Sequence, residues 1–251
     1  MKLFYTVRYH YSVFFRKIRS LPPLVAWVLT LYLMYERPPV NVVQGFLSAS
    51  MFLFALMVWF GYLFLSDFDT VTEHLLILQT NCRMLYAASK VVFLVTICLA
   101  VSIVGGFMPV IMTIAHHVQG VPYMPYGMRV ADFFGGILLH FIAATLGVAV
   151  AWLFRPNHTN RSEGFDIVLM ILFTIMAFVK HQIVTLPGVT RYVFVVFTPV
   201  YEIFGMFSEE AAFSAGTLAL ATLFGAAYFA VAMVVGYRLY KWRVYGPKLA
   251  G

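Results

Sequence analysis

Charged residues are rare in this sequence, so those that fall between its apolar stretches are the first candidates for chemistry. Residues 72–90 are half apolar, yet they carry Glu73, His74, Arg83 and Lys90. A segment that presents apolar and charged groups together is what a docking surface for a partner protein requires. The alternative is an interfacial helix that rests on lipid.

A second group of ionisable residues lies around the ends of later apolar stretches. Its members are Lys180, His181, Glu202, Glu209 and Glu210. Ionisable groups at membrane depth are costly and are functional candidates for that reason. An ion pair between Lys180 and either Glu202 or Glu209 would hold an outer gate closed. The alternative is that all five side chains lie at headgroup level, in contact with water.

The histidines and cysteines predict no metal or haem site. His116 and His117 are adjacent and point to different faces of a helix, unlike the pair four residues apart that binds a metal from one helix. His140 is alone within an apolar stretch, where a satisfied helix-packing role is expected. Cys82 and Cys98 lack metal-ligand spacing. We therefore expect no cofactor bound by this chain.

The composition is that of an integral membrane protein. Hydrophobic residues make up 62% of the 251 residues, charged residues only 11%, and the mean hydropathy is +0.88. A soluble domain has about 25% charged residues. The length suits a single transmembrane domain, residues 1–251, of about six helices, without a separate catalytic domain. We attribute the net charge of +7 to basic residues at cytoplasmic helix ends rather than to nucleic-acid binding.

Six apolar stretches predict an all-α fold with six membrane spans. They are residues 21–35, 42–65, 91–115, 133–154, 167–184 and 211–237. Residues 1–20 contain no continuous apolar stretch, so no cleavable signal peptide is expected. They are instead predicted to form a basic amphipathic helix in the membrane interface. Its apolar residues, at three- and four-residue spacing, are Leu3, Val7, Tyr11, Phe14, Phe15 and Ile18.

The distribution of basic residues orients these spans. With six crossings and an inside N-terminus, thirteen Lys and Arg residues fall inside and four outside. This asymmetry is typical of membrane proteins and places both termini in the cytoplasm. A seventh crossing would move the basic C-terminal tail outside. Residues 185–210 are therefore predicted as a broken, re-entrant pair of short helices on the extracellular side.

By the same count, residues 66–90 form a cytoplasmic segment between the second and third spans. Two antiparallel helices need a connection of only about 2–8 residues, and this one is much longer and helix-forming. Thr70 and Thr72 are candidate N-caps, with Glu73 three residues after Thr70 as in a capping box. Arg83 and Lys90 come late in the segment, where a helix dipole favours cations.

The stretch EHLLILQTNCRMLYAASK followed by VVFLVTICLAV resembles the permeases of ABC-2 type transporters. The whole layout is also similar, with a basic elbow helix, six spans and a broken extracellular helix pair before the last span. In that family the segment before the third span is a coupling helix that sits in a cleft of the ATPase subunit. The resemblance assigns this role to Glu73, Leu75, Leu76, Arg83 and Lys90.

The resemblance also implies the partners. The chain has no G-x-x-x-x-G-K-[ST] phosphate loop, so two copies of a separate cytoplasmic ATPase would bind ATP and magnesium, and this chain would not itself be an enzyme. A second permease chain, identical or related, would complete the path through the lipid. Export across a bacterial cytoplasmic membrane is expected, with unidentified cargo. The alternatives are a stand-alone secondary transporter and a small haem- or metal-binding membrane enzyme subunit.

Overall fold

The chain is almost entirely helical. The computed structural model describes residues 2–36, 41–67, 70–118, 127–154, 163–184, 199–207 and 212–245. Within these ranges 91% of residues are helical and there is no strand. The α-helices described are α1 Lys2–Phe14, α2 Leu21–Tyr35, α3 Val42–Ser66, α4 Thr70–Thr80, α5 Arg83–Val118, α6 Val130–Leu153, α7 Glu163–Val184, α8 Val200–Gly205 and α9 Ala215–Tyr245. A short 3₁₀ helix, Ile18–Ser20, joins α1 to α2.

Five of these helices are long and apolar enough to cross a membrane. The candidate spans are Ile18–Tyr35, Val42–Ser66, Arg83–His117, Val130–Leu153 and Ala215–Lys241. The prediction of an all-α, multi-pass membrane protein is therefore confirmed. In α7 the apolar part is shorter, Gly164–Val179. Most of the predicted re-entrant segment, residues 185–210, lies outside the described residues, and only α8 is seen.

Local signals explain several helix ends. Pro22 and Pro23 occupy the first turn of α2, where a missing N–H costs nothing, and α2 has the predicted bounds. The side chain of Asn41 caps α3 by accepting hydrogen bonds from the N–H groups of Val43, at 3.1 Å, and Gln44, at 3.4 Å. These caps fix where each span begins.

The predicted cytoplasmic segment, residues 66–90, is divided between two helices. Helix α4 ends at Thr80, and Asn81 has a left-handed φ of +57°. Asparagine tolerates this conformation better than most residues, and it often ends a helix. Helix α5 then begins at Arg83 and continues into the third span. The placement of Arg83 and Lys90 near the end of a helix was therefore wrong, because both lie in the first turns of α5.

Helix α6 is the centre of the bundle and packs against α3, α5 and α9. In membranes, helices associate through close van der Waals contact, which small residues allow. Gly147 of α6 lies against the carbonyl oxygen of Phe54, Gly136 against the ring of Phe46, and Gly225 of α9 against Ile142. Small residues of the fourth and last spans therefore lie at contacts between helices.

Helix α1 packs on the bundle through a face that the apolar pattern predicted only in part, at Phe14. Its buried residues are Thr6, His10 and Phe14, one turn apart. Phe14 joins a group of aromatic rings from α3 and α5, with Phe60 at 5.1 Å between ring centroids and Phe93 at 5.8 Å. The helix also ends at residue 14 rather than 20. Its attachment to the protein therefore depends on polar as well as apolar groups.

The contact of Gly147 with the backbone of α3 predicts a strong effect of a single methyl group. Gly147→Ala places that methyl group against the Phe54 carbonyl, which cannot rotate away. Overpacking of this kind costs about 1–3 kcal/mol, so the thermal midpoint in detergent should fall clearly. Gly216→Ala is the control, because nothing lies within 4 Å of its added methyl group. Equal midpoints for the two variants would contradict this packing.

Candidate functional site

A buried ion pair joins α4 to α5. The Nζ of Lys90 donates a hydrogen bond to Oε1 of Glu73. The Lys90 side chain is fully buried, and Glu73 is only 9% exposed. A buried ammonium group is strongly destabilising unless a partner neutralises it and accepts its hydrogen bonds. Glu73 therefore holds α4 at one defined position on α5.

Two tyrosine hydroxyls also donate hydrogen bonds to this carboxylate. The hydroxyl of Tyr86 donates to Oε1 of Glu73 at 3.3 Å, and the hydroxyl of Tyr240 donates to Oε2 at 3.0 Å. The Nζ of Lys90 also lies 4.7 Å from the centroid of the Tyr86 ring, within range of a cation–π attraction. Because Tyr240 belongs to the end of α9, one carboxylate connects α4, α5 and the last span.

Helix α1 contacts the surroundings of this ion pair through His10. Its Nε2 lies 2.9 Å from Oγ of Ser89, and that hydroxyl donates to the Tyr86 carbonyl at 2.7 Å. Burial, and secondarily the positive charge of Lys90, lowers the pKa of His10 to about 3. The imidazole is therefore neutral near pH 7. We call the residues His10, Glu73, Tyr86, Ser89, Lys90 and Tyr240 the polar cluster.

The five predicted coupling residues divide into an inner and an outer set. Glu73, Leu76 and Lys90 are buried, whereas Leu75 is 56% exposed and Arg83 is exposed. Further apolar side chains are exposed near Leu75. They form, with it, what we call the apolar stripe of α4: Val71, Leu75 and Leu78. The buried set positions α4, and the stripe is the exposed apolar face of that helix.

The five predicted gate residues lie at the margin of the described structure. Lys180 and His181 belong to α7, but their side chains are outside the described part. Glu202 lies in the first turn of α8 and is exposed. Glu209 and Glu210 lie outside the described residues. The ion pair between Lys180 and Glu202 or Glu209 therefore stays a prediction.

Sequence reasoning missed most of the polar cluster: His10, Tyr86, Ser89 and Tyr240 were not among its candidates. A signal was present at Tyr86, Ser89 and Lys90, since positions three and four apart share one helix face. It also missed Asp132, which forms a capping box with Arg129 and accepts a hydrogen bond from the backbone N–H of Phe213 at 3.1 Å. No sequence pattern could have placed Tyr240 beside Glu73.

His140 is a packing residue, although not a satisfied one. Its ring lies 5.5 Å from Trp27 and 5.3 Å from Phe46 between centroids. Both of its ring nitrogens are buried and lack a hydrogen-bond partner among the described residues. Within the same residues, no three His, Cys, Asp or Glu side chains are grouped as a metal site requires.

Comparison with known proteins leaves the family open. No protein-family model, curated protein or solved structure matches this chain. Any functional assignment therefore depends on the sequence pattern and on the geometry described above.

The ion pair predicts a large and asymmetric response to substitution. Glu73→Gln leaves a buried ammonium group without its counter-charge, which costs about 3–5 kcal/mol. Replacing both partners, as Glu73→Leu with Lys90→Met, should cost less than the sum of the single changes. Thermal unfolding in detergent measures all three. Lys17→Gln is the comparison, because in its pair with Asp67 the lysine is 45% exposed, against 8% for the aspartate, and we expect its cost to be smaller than that of Glu73→Gln.

The lowered pKa of His10 predicts a dependence of stability on pH. The unfolded chain binds this proton near pH 6.5, and the folded chain only near pH 3. Between these values the unfolded state binds more protons, so stability rises with pH and is fully present above 6.5. The thermal midpoint of the His10→Gln variant should therefore fall less than that of the parent protein when the pH is lowered from 7.5 to 4.5, the range we would measure. Parallel curves for the two proteins would contradict this assignment.

Proposed function

We propose that the chain is the permease subunit of an ATP-driven exporter of the ABC-2 type, coupled to a separate cytoplasmic ATPase. The observation that carries the proposal is the geometry of α4. Its inner face is fixed by the Glu73–Lys90 ion pair, and its outer face carries the apolar stripe. A helix with one face anchored and the other available for docking is suited to receive a mechanical input.

The anchoring explains how such an input would reach the membrane spans. Displacement of α4 would either break a buried ion pair or move α5 with it, and breaking the pair is costly. Tyr240 attaches α9 to the same carboxylate, and His10 attaches α1 to the residue next to Lys90. Movement of the ATPase subunits on binding ATP would thus reach two spans and the N-terminal helix together.

Two features support the six-span topology of this proposal. Helix α7 has 22 residues, a length of about 33 Å, of which the apolar part is Gly164–Val179; it would cross the membrane if its charged ends lie at the headgroups. The thirteen basic residues assigned to the inside include Arg83, Lys90 and Lys241, which lie at the end of the bundle that carries the polar cluster. Both termini would then be cytoplasmic, in a bacterial cytoplasmic membrane, with residues 185–210 and the gate residues on the opposite side.

A second permease chain would complete the translocation path. Only 17% of the apolar part of α9 is buried, against 72% for α6, so α9 has room for another helix as well as for lipid. An open apolar cleft of about 580 Å³ lies beside it, bounded by α6 and α7 and lined in part by Phe154, Phe173 and Tyr228. An apolar cargo would suit such a cleft.

The apolar stripe predicts the outcome of a docking experiment. The chain is purified gently from its native membranes, and a stoichiometric soluble ATPase is sought by mass spectrometry. Leu75→Glu with Leu78→Glu should remove the ATPase without unfolding the chain, because both side chains are more than half exposed. Val130→Glu is the matched control, since Val130 is 75% exposed at the opposite end of the bundle.

Two results would contradict the proposal. Loss of the ATPase in the Val130→Glu control would contradict the part of the proposal that assigns docking to the apolar stripe, because any added charge would then disrupt the complex. A parent chain that purifies without an ATPase, and transports alone in vesicles, would assign it to the secondary transporters instead.

A further inference from the structure

A small cleft lies between α4, α5 and α9, next to the polar cluster. It has a volume of about 130 Å³. Two cations line it, Arg83 and Lys241, together with Tyr86, Tyr237 and Tyr240. Both cations are exposed, and both tyrosines of α9 are half-buried. The cleft therefore combines positive charge at its mouth with aromatic walls.

The cleft lies at the boundary between apolar and polar environments. Arg83 is the first residue of one apolar span, and Lys241 is the last residue of another. Because both line one cleft, these span ends meet at the same face of the bundle. This is the depth of phospholipid headgroups, and basic pockets between helices at that depth bind anionic headgroups.

The nearby carboxylate does not cancel the positive charge. Glu73 is paired with Lys90 and accepts the hydroxyl protons of Tyr86 and Tyr240. Its charge is thus neutralised behind the two tyrosine rings. Among the described residues, the cations that line the cleft are Arg83 and Lys241, and a guanidinium group matches the geometry of phosphate oxygens.

An apolar track continues from the cleft into the membrane. Val234 lies one turn before Tyr237 on the same side of α9 and is 55% exposed, and Ala230 lies one turn further and is also exposed. A ligand with its anionic group in the cleft would thus have apolar surface along α9 for its tail. A free phosphate ion would make no use of this track.

We propose that this cleft binds the phosphate group of an anionic phospholipid. Arg83 and Lys241 contact the phosphate oxygens, and the hydroxyl of Tyr237, which lines the cleft, donates a hydrogen bond to them. An acyl chain lies along Val234 and Ala230. Since Tyr240 belongs to both the cleft and the polar cluster, the lipid would bridge α9 to the start of α5.

The test uses the purified full chain in detergent, without ATPase or cargo. Phosphatidylglycerol and phosphatidylcholine are titrated separately, and bound lipid is counted by native mass spectrometry. We expect phosphatidylglycerol to bind in preference to phosphatidylcholine. Arg83→Gln and Lys241→Gln should each weaken this binding about tenfold, the loss of one charge-assisted contact. Tyr237→Phe, which keeps the aromatic wall, should weaken it less.

Arg238→Gln is the matched control, because it removes an exposed charge of α9 outside the cleft lining. Equal loss of binding in Arg238→Gln and Lys241→Gln would overturn the proposal in favour of general surface attraction. Equal binding of the two lipids would also overturn it. If inorganic phosphate binds with the same dependence on Arg83 and Lys241 and phosphatidylglycerol does not, the source is free phosphate rather than lipid. None of these results depends on the proposed transport function.

Discussion

The ammonium group of Lys90 dictates the arrangement of one whole end of this molecule. It lies in the first turns of the longest helix and has no exposed surface. A charge so placed must be neutralised within the protein, and Glu73 does so from a separate helix. The second oxygen of that carboxylate accepts a hydrogen bond from Tyr240, at the end of the last span. Parts of the chain that are far apart in sequence are thus held together by one electrostatic requirement.

The rest of the bundle is held by shape rather than by charge. Lipid tails are as apolar as leucine, so burial from water cannot drive helices together, and close packing must do so. Glycine and alanine on α6 allow α3 to approach until side chains meet backbone. Helices α2 and α9 are far less buried, although Gly225 of α9 also lies close to Ile142 of α6. The structure therefore combines a buried central pair with outer helices whose residues are mostly not buried.

The sequence predicts the spans well because an uncharged apolar run of about 20 residues matches the thickness of the hydrocarbon core. It predicts less well which face of a helix is buried. In α1 the apolar spacing included Phe14, which is buried, but it did not include the buried residues Thr6 and His10, since His10 has a partner 79 positions away. Likewise Glu73 and Lys90 were predicted as surface charges for a partner. Their burial depends on a contact between helices that periodicity along one chain does not encode.

Helix α5 is much longer than the hydrocarbon core of a membrane is thick. Its 36 residues extend about 54 Å, well beyond a hydrocarbon core of about 30 Å. Lys90 near one end and His116 near the other thus belong to a single rod that crosses both headgroup layers. Pro109 interrupts its backbone hydrogen bonding, and kinks concentrate at such residues. Helix α5 can therefore bend at Pro109, so that its short segment after Pro109 moves separately from the long segment that contacts α4.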